Sequence, residues 1–231
     1  MLRKIKTQES LKEKAFKAIK YAIMDYTLTP GDIYTEQGLA GRLGISKSPV
    51  REACIDLASR GFLKILPRKG IQIEILDADK VCSLFDFRVI LEKAVIRLMA
   101  HKTTDEVINE TENIFAKLKA ASDADDLKGF LELDKQFHQY LVILTGNHYM
   151  IEASANVRDL IDWAGAKIVS MKWRQLEAMN EHAEIVKKLQ QRDPVGAAKK
   201  MEEHLLISKE KILSSITRPE HKEGGGKSNR K

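Results

Sequence analysis

From residue 77 to residue 216 the chain consists of helix-type segments, and no strand pattern of any weight interrupts them. Apolar residues recur there at helical spacing over residues 78–101, 105–121, 125–145, 148–171, 176–191 and 194–215. The breaks between segments carry residues that favour helix N-termini, namely Asp77, Thr104, Asp126, Asn147 and Asp193. Helices in such a succession bury their apolar faces by packing on one another, which predicts an antiparallel all-α bundle.

Residues 1–76 have a different pattern. Three shorter helical segments are predicted over about residues 10–26, 35–43 and 48–60, the last opened by Ser48-Pro49. Two runs with strand alternation then flank a basic turn: they are Phe62–Leu66 and Ile71–Ile75, with Pro67-Arg68-Lys69-Gly70 between them. This order predicts a winged helix-turn-helix, so the fold class is mostly α, with a winged helix followed by a bundle.

The net charge of +6 is concentrated at the two ends of the chain. Residues 1–76 carry 14 Lys and Arg against 8 Asp and Glu, whereas residues 77–216 carry 20 against 23. A basic end on an otherwise acidic chain is typical of a protein that binds a polyanion, although basic side chains can also merely solubilise a surface.

Composition limits the class of protein further. No apolar run approaches the ~20 residues that span a bilayer, and no secretory signal is expected from the basic start of the chain. The two cysteines, Cys54 and Cys82, are too few for a disulfide framework. We therefore expect a cytoplasmic protein with no membrane partner, divided into residues 1–76, residues 77–216 and a disordered basic tail over 217–231.

The third helical segment would supply the residues that contact DNA. In a helix-turn-helix, the N-terminal end of the second helix of the motif enters the major groove, and here that end carries Ser46, Lys47, Ser48 and Arg51. Arg68 and Lys69 at the hairpin tip could reach an adjacent groove or the backbone. Two alternatives stay open: Arg51 could pair with Glu52 or Asp56 on its own helix, and the hairpin could be an ordinary solvated turn.

A resemblance supports the DNA-binding interpretation. The stretch PGDIYTEQGLAGRLGISKSPVREACIDLASRGFLKILPRKGIQI resembles the DNA-binding domain of the GntR family of bacterial transcription regulators. The resemblance implies that Lys47, Ser48 and Arg51 contact DNA and that Gly70 lets the wing backbone approach it. Thr35 and Gln37, at the start of the second helix, join the predicted contacts. Gln37 stands where several members carry arginine, which hints at a different operator.

Four residues of the bundle have side chains that bind metals. Asp134 and His138 are four apart on one predicted helix and so project from one face, and His182 and His204 lie on two later helices. One carboxylate and three imidazoles suit Zn²⁺, Ni²⁺ or Mn²⁺. Taken singly, such a carboxylate–histidine pair is more often a surface ion pair, and a lone histidine in an apolar helix is more often a core residue. The sequence leaves open whether the four converge.

The bundle also resembles a known domain. FDFRVILEKAVIRLMA, FLELDKQFHQYLVILTGN and EHAEIVKKLQQRDPVGAAKKMEEHL resemble the FCD ligand-binding domain of FadR-type regulators, a bundle of six to seven helices. In its metal-binding members one Asp and three His hold a divalent metal, and Asp134, His138, His182 and His204 match them. Arg88 and Glu92 match the domain's R..LE pattern, and an arginine there could clamp a carboxylate. Arg88 and Glu92 could also form only an intrahelical pair.

These observations predict a homodimeric transcription regulator that binds a short inverted repeat in double-stranded DNA. A small organic acid bound at the metal and at Arg88 and Glu92 would act as its effector, and repression is the default sign in the family that it resembles. Two alternatives remain: a metal-dependent hydrolase, and a DNA-binding protein without an effector. We expect no enzyme activity, because no general base or substrate path accompanies the metal-type residues.

Overall fold

A computed structural model of the protein describes residues 9–99 and 104–217. These residues divide into two compact units: one takes the chain up to Leu76 together with Asn147–Ala166, and the other takes Asp77–Gly146 and the chain from Lys167 onward. The described helices are α1 (Leu11–Met24), α2 (Glu36–Leu43), α3 (Lys47–Ser59), α4 (Ala78–Met99), α5 (Asp105–Asp123), α6 (Leu127–Ile143), α7 (His148–Val169), α8 (Lys172–Gln190) and α9 (Pro194–Thr217).

The N-terminal helices form where the sequence places helix caps. Ser10 caps α1 in a capping box with Glu13. Thr35 caps α2 by accepting a bond from the backbone N–H of Gly38, and Gly44 ends α2 in the left-handed conformation, with φ +65°. The expected start of α3 is wrong by two residues: Ser46, not Ser48, is its N-cap. Pro49 fits inside the first turn because the N–H groups there have no intrahelical acceptor.

The wing contains one strand more than the sequence predicted. Strands β1 (Ile33–Tyr34), β2 (Leu63–Leu66) and β3 (Gly70–Ile73) form an antiparallel sheet in the order β1-β3-β2. Tyr34 lies opposite Ile71, and Leu66 lies opposite Gly70. A two-residue strand such as β1 is too short to show an alternating pattern, so the sequence predicted only the β2–β3 hairpin.

Helix α7 belongs to the first unit over most of its length. Trp163, only 2% exposed, packs into the same core as Val50, Leu57 and Phe62 of the winged helix. The sequence predicted a domain boundary at residue 76, which placed residues 147–166 in the bundle. Helical periodicity reveals that a helix has a buried face, but it does not reveal which partner covers that face.

The second unit consists of helices packed on one another. Helix α9 packs along α4 and α8, α5 packs on α6 and α8, and α4 also meets α6. Phe130, Leu118 and Met179 belong to one of its apolar cores. The mostly helical class, with a winged helix followed by helices, is confirmed. Beyond Thr217, the predicted basic tail lies outside the described residues. Among those residues, no helix is both long and apolar enough to cross a membrane.

Candidate functional site

The N-terminal end of α3 presents a polar, exposed surface. Ser46, Lys47 and Ser48 are all exposed at its first turn, and Arg51 is exposed one turn later. The Nζ of Lys47 lies 3.2 Å from the Glu36 carboxylate at the start of α2. Donors on the leading turn of a helix can reach base edges and phosphates in the major groove. The structure thus places these four predicted contacts together on one surface.

Arg51 is available for such a contact. Asp56, one of its two candidate partners on α3, instead pairs with Lys12 of α1 at 2.8 Å. Within residues 9–99 and 104–217, no carboxylate lies at ion-pair distance from the Arg51 guanidinium. Cys54 of the same helix is buried. Its burial, and to a lesser extent the charge of Glu36, raises the pKa of its thiol to about 12. The thiol therefore stays protonated and serves as part of the core.

The other predicted DNA contacts occupy the start of α2 and the wing tip. Thr35 and Gln37 are exposed, and the Thr35 hydroxyl that caps α2 can still donate its own proton to a phosphate. Arg68 and Lys69 are exposed at the turn, where Arg68 has a φ of +62°.

Gly70 has a structural reason to be glycine. Its φ is +123°, and a Cβ at this position would lie 2.3 Å from the carbonyl oxygen of Tyr34 in β1. Pairing between β1 and β3 therefore requires glycine at this position, whether or not the wing contacts DNA.

The second unit brings together three histidines from three helices. His138 of α6, His182 of α8 and His204 of α9 are buried, and each offers a ring nitrogen within 4.8 Å of the others. The Nε2 atoms of His138 and His182 are 3.3 Å apart. The Asp134 carboxylate, one turn before His138, lies 3.5 Å from the Nε2 of His182. The structure thus gathers the three predicted histidine ligands into one cluster and places the Asp134 carboxylate beside one of them, His182.

Two carboxylates orient these histidines from outside the cluster. Glu92 Oε2 is 2.7 Å from His138 Nδ1, and Glu181 Oε2 is 2.6 Å from His204 Nδ1. In each pair the carboxylate accepts the Nδ1 proton, which leaves the Nε2 lone pair free to coordinate. Metal-binding histidines commonly have such a carboxylate behind them.

Each carboxylate is fixed in turn by an arginine. The Arg174 guanidinium makes a bidentate contact with Glu181 at 2.8 and 2.9 Å and donates to Ser208. Arg88 donates through Nε to Glu92 at 2.5 Å. Burial favours a raised pKa for Glu92, but the charge of Arg88 and the hydrogen bonds from His138 and Arg88 outweigh it and hold the Glu92 pKa well below its usual range. Burial favours a raised pKa for Glu181 as well, but the hydrogen bonds from His204 and Arg174 lower it. Glu92 and Glu181 therefore stay ionised and can each accept a histidine proton.

Arg88 retains unused hydrogen-bonding capacity. It is 6% exposed, and its Nη2 atom is buried without a hydrogen-bond partner among the residues that the structure describes. A buried guanidinium donor left unsatisfied is costly, so such an atom points to a missing acceptor. The predicted intrahelical pair of Arg88 and Glu92 is present, but it uses only one side of the guanidinium.

The residues fit a divalent metal. Zinc–nitrogen bonds of about 2.0–2.1 Å at a tetrahedral angle separate two ligand nitrogens by roughly 3.3 Å, close to the distance between the His138 and His182 Nε2 atoms. Three imidazoles and one carboxylate suit zinc, nickel or manganese. The donor set does not choose among them.

The sequence missed the supporting residues Arg174 and Glu181, and it assigned Glu92 to an effector. Arg174 and Glu181 are seven apart on α8 and so share a face, which is the only sequence signal that could have paired them. The role of Glu92 depends on α4 and α6 being neighbours, and spacing along the chain carries no information on that.

Comparison with known proteins agrees with this architecture. Residues 11–73 match the family of bacterial regulatory proteins named gntR, and residues 83–206 match the FCD domain. The HTH-type transcriptional repressor RspR of Escherichia coli K12 is 24% identical over 201 residues, which cover 85% of this chain and 86% of RspR.

Two solved structures share the fold. E. coli McbR/YncC superposes with a TM-score of 0.75 at 18% identity, covering 90% of this chain and 99% of that one. The metal-free FCD domain of TM0439 superposes with a TM-score of 0.52 at 18% identity, covering 62% of this chain and 97% of that domain. The family matches, which together span most of the chain, exclude the hydrolase alternative, because this family consists of regulators and not enzymes. The protein belongs to the GntR family of transcription regulators, with an N-terminal helix-turn-helix domain and a C-terminal FCD domain.

Proposed function

We propose that this regulator senses a small carboxylate through a metal bound by Asp134, His138, His182 and His204. The proposal rests on three buried imidazoles that each offer a ring nitrogen within 4.8 Å of the others, with the Asp134 carboxylate 3.5 Å from one of them. A bound metal would supply a Lewis acid able to hold a carboxylate oxygen. The naming of a structural relative as a metal-free FCD domain supports a metal site in domains of this kind.

Arg88 is the second anchor of the proposed effector. Its Nη2 lacks an acceptor among the described residues, while Glu92 holds its Nε in place. A guanidinium fixed in this way binds a carboxylate with little further loss of side-chain entropy. In this account Glu92 is a positioning residue: it orients both Arg88 and His138 and does not contact the effector.

We propose that DNA is bound by two copies of the chain. Helix α4 carries an outward apolar face in which Phe87, Ile90 and Leu98 are 41%, 72% and 52% exposed. Exposed apolar residues repeated along one helix face favour contact with another protein surface. A two-fold dimer would present its two winged helices to the halves of a short inverted repeat.

Whether the protein represses or activates transcription is inferred from a related protein. RspR is named a repressor, which supports repression that the effector relieves. For this the effector must bind one arrangement of the dimer more tightly than the other. A coupling of about 1–3 kcal/mol would change operator affinity about 5–150-fold.

Thermal unfolding of the zinc-loaded protein with acetate, lactate, malate and citrate tests the effector proposal. At least one carboxylate is expected to raise the Tm of the wild type and to lose most of this effect in Arg88→Gln. Arg97→Gln, an exposed arginine on the same helix, is the matched control and should respond like the wild type. If none of these acids stabilises the zinc-loaded protein, the carboxylate proposal fails and the effector-independent alternative gains support.

A further inference from the structure

Glu36 begins α2 on the face of that helix that packs against the core of the first unit. Leu39 and Ala40, three and four positions later, are buried in that core. Residues at this spacing share one helix face. The Glu36 side chain is only 19% exposed, whereas its chain neighbours Thr35 and Gln37, both predicted DNA contacts, are exposed. A carboxylate therefore lies largely buried between positions that are predicted to meet DNA.

Lys47 at the first position of α3 meets this carboxylate. Its Nζ lies 3.2 Å from Glu36 Oε2, and its side chain is 55% exposed. Among the residues that the structure describes, no second cation lies at ion-pair distance from Glu36. Burial and, after it, the charge of Glu36 raise the pKa of the Cys54 thiol, which agrees with a carboxylate turned toward α3. The buried carboxylate is thus the fixed partner, and it holds the lysine ammonium at the surface.

The carboxylate changes what Lys47 can bind on DNA. An unpaired lysine near a duplex is attracted to phosphates, which carry no sequence information. A phosphate oxygen at Lys47 would share the ammonium with Glu36, and the two negative charges would repel each other. The edge of a base has no net charge, so its acceptor atoms avoid this repulsion. In the major groove, the acceptors that lysine contacts most often are O6 and N7 of guanine.

We propose that Glu36 is a positioning residue that directs Lys47 to a base edge and away from the phosphates, and so increases the discrimination between operator and other DNA. Glu36 itself contacts no base in this account. Its negative charge lowers affinity for every duplex, but it lowers affinity more where Lys47 would bind only a phosphate. The proposal rests on α3 as the DNA-contacting element and is independent of the metal, the effector and the dimer.

The salt dependence of binding to a random-sequence duplex tests where the ammonium goes. Each phosphate contact contributes about 0.9 to the slope of log affinity against log salt concentration. In full-length Glu36→Gln the ammonium is released to a phosphate, so we expect a slope steeper by about 0.9 and tighter binding to this duplex. Glu52→Gln, which removes an exposed carboxylate from α3, is the matched control and should keep the wild-type slope. An unchanged slope in Glu36→Gln would overturn the proposal.

Discrimination is the ratio of affinities for two duplexes: the operator that the full-length wild type selects from a random pool, and the random-sequence duplex. Glu36→Gln should lower this ratio at least about five-fold, because Lys47 is no longer held toward a base. Glu52→Gln should change both affinities by the same factor and leave the ratio at its wild-type value. A ratio that Glu36→Gln leaves unchanged would contradict a positioning role.

Lys47→Met separates positioning from a general effect of charge. Because Lys47 is directed to a base in the wild type, Lys47→Met alone should lower the ratio but leave the slope on the random-sequence duplex unchanged. Adding Glu36→Gln to Lys47→Met should then alter neither quantity further, since the two residues act as one unit. If Glu36→Gln has its full effect in the absence of Lys47, Glu36 acts only as a repelling charge, and the proposal is wrong.

Arg51→Ala distinguishes failure of this inference from failure of the proposed function. If Arg51→Ala and Lys47→Met both bind the operator as tightly as the wild type, α3 is not the DNA-contacting element, and the assignment on which the inference rests fails. If both variants lose discrimination while Glu36→Gln matches the wild type in slope and ratio, only the role of Glu36 fails.

Discussion

At the residue scale, the candidate metal centre depends on side chains that never touch the metal. Glu181 accepts from His204 and is itself held by a bidentate contact with Arg174. Removing one charge from such a residue leaves the histidine in place but weakens its control over ring orientation and basicity. Glu181 is therefore a positioning residue whose effect should be visible in affinity for the metal.

Glu181→Gln should lower zinc affinity about 10–100-fold, the cost typical of losing an outer partner of a metal ligand. Competition with a chromophoric chelator measures the dissociation constant. Glu184→Gln removes a half-exposed carboxylate from the same helix and should leave zinc affinity unchanged. Unaltered affinity in Glu181→Gln would remove Glu181 from the metal site.

Gly70→Ala tests whether this glycine is required by the fold. Because a Cβ would collide with the Tyr34 carbonyl and the φ of +123° is strained for alanine, the variant should lose about 1–3 kcal/mol in its free energy of unfolding. Urea denaturation without DNA measures the loss. Gly41→Ala, where a Cβ meets nothing within 4 Å, should be neutral or stabilising. A Gly70→Ala protein of unchanged stability that binds DNA poorly would instead place the role of Gly70 at the DNA.

At the scale of the elements, the sequence predicts what depends on local chemistry. The caps at Thr35 and Gly44 and the helical spacing of α4 to α9 depend only on residues that are close together in the sequence. These helices therefore form close to the predicted positions. Strand β1 depends on its distant partner β3, and the docking of α7 depends on Phe62, so neither leaves a local pattern. The convergence of His138, His182 and His204 likewise follows from the packing of three helices, and it was reached only through a family resemblance.

Helix α3 can be tested as the DNA-contacting element by substituting Arg51. Arg51→Ala should weaken binding to the selected operator about 5–150-fold, equivalent to about 1–3 kcal/mol for a base contact. Its Tm and metal content should match the wild type, because the guanidinium has no ion-pair partner among the described residues. Lys14→Ala, which removes an exposed charge from α1, is the control. Equal operator affinity in Arg51→Ala and the wild type would rule out α3 as the element that recognises the operator.

At the scale of the whole molecule, the metal would join α6, which is separated from α8 by 28 residues, to the consecutive helices α8 and α9. A ligand that binds the folded protein alone stabilises it by mass action, by about 2.7 kcal/mol at one hundred times its dissociation constant. Helices α6, α8 and α9 each supply a ligand, so a bound metal would oppose their separation. We expect stability and metal occupancy to change together.

Chelation should therefore lower the Tm of the zinc-loaded wild type by roughly 5–10 °C, given about 2–4 °C per kcal/mol for a chain of this size. His182→Ala should start from a lower Tm, because His182 is fully buried, and should not respond to the chelator. Calorimetry of both proteins with and without EDTA supplies the comparison. A chelator response of equal size in the variant would show that the stabilising metal binds elsewhere.

The most direct test of the central claim is elemental analysis of the full-length protein after extensive dialysis. We expect about one divalent metal ion per chain. Most of it should be lost from His182→Ala and retained in His148→Ala, whose histidine is exposed on α7. A wild-type protein without metal, or with metal that His182→Ala retains in full, would contradict the proposed metal-centred sensor.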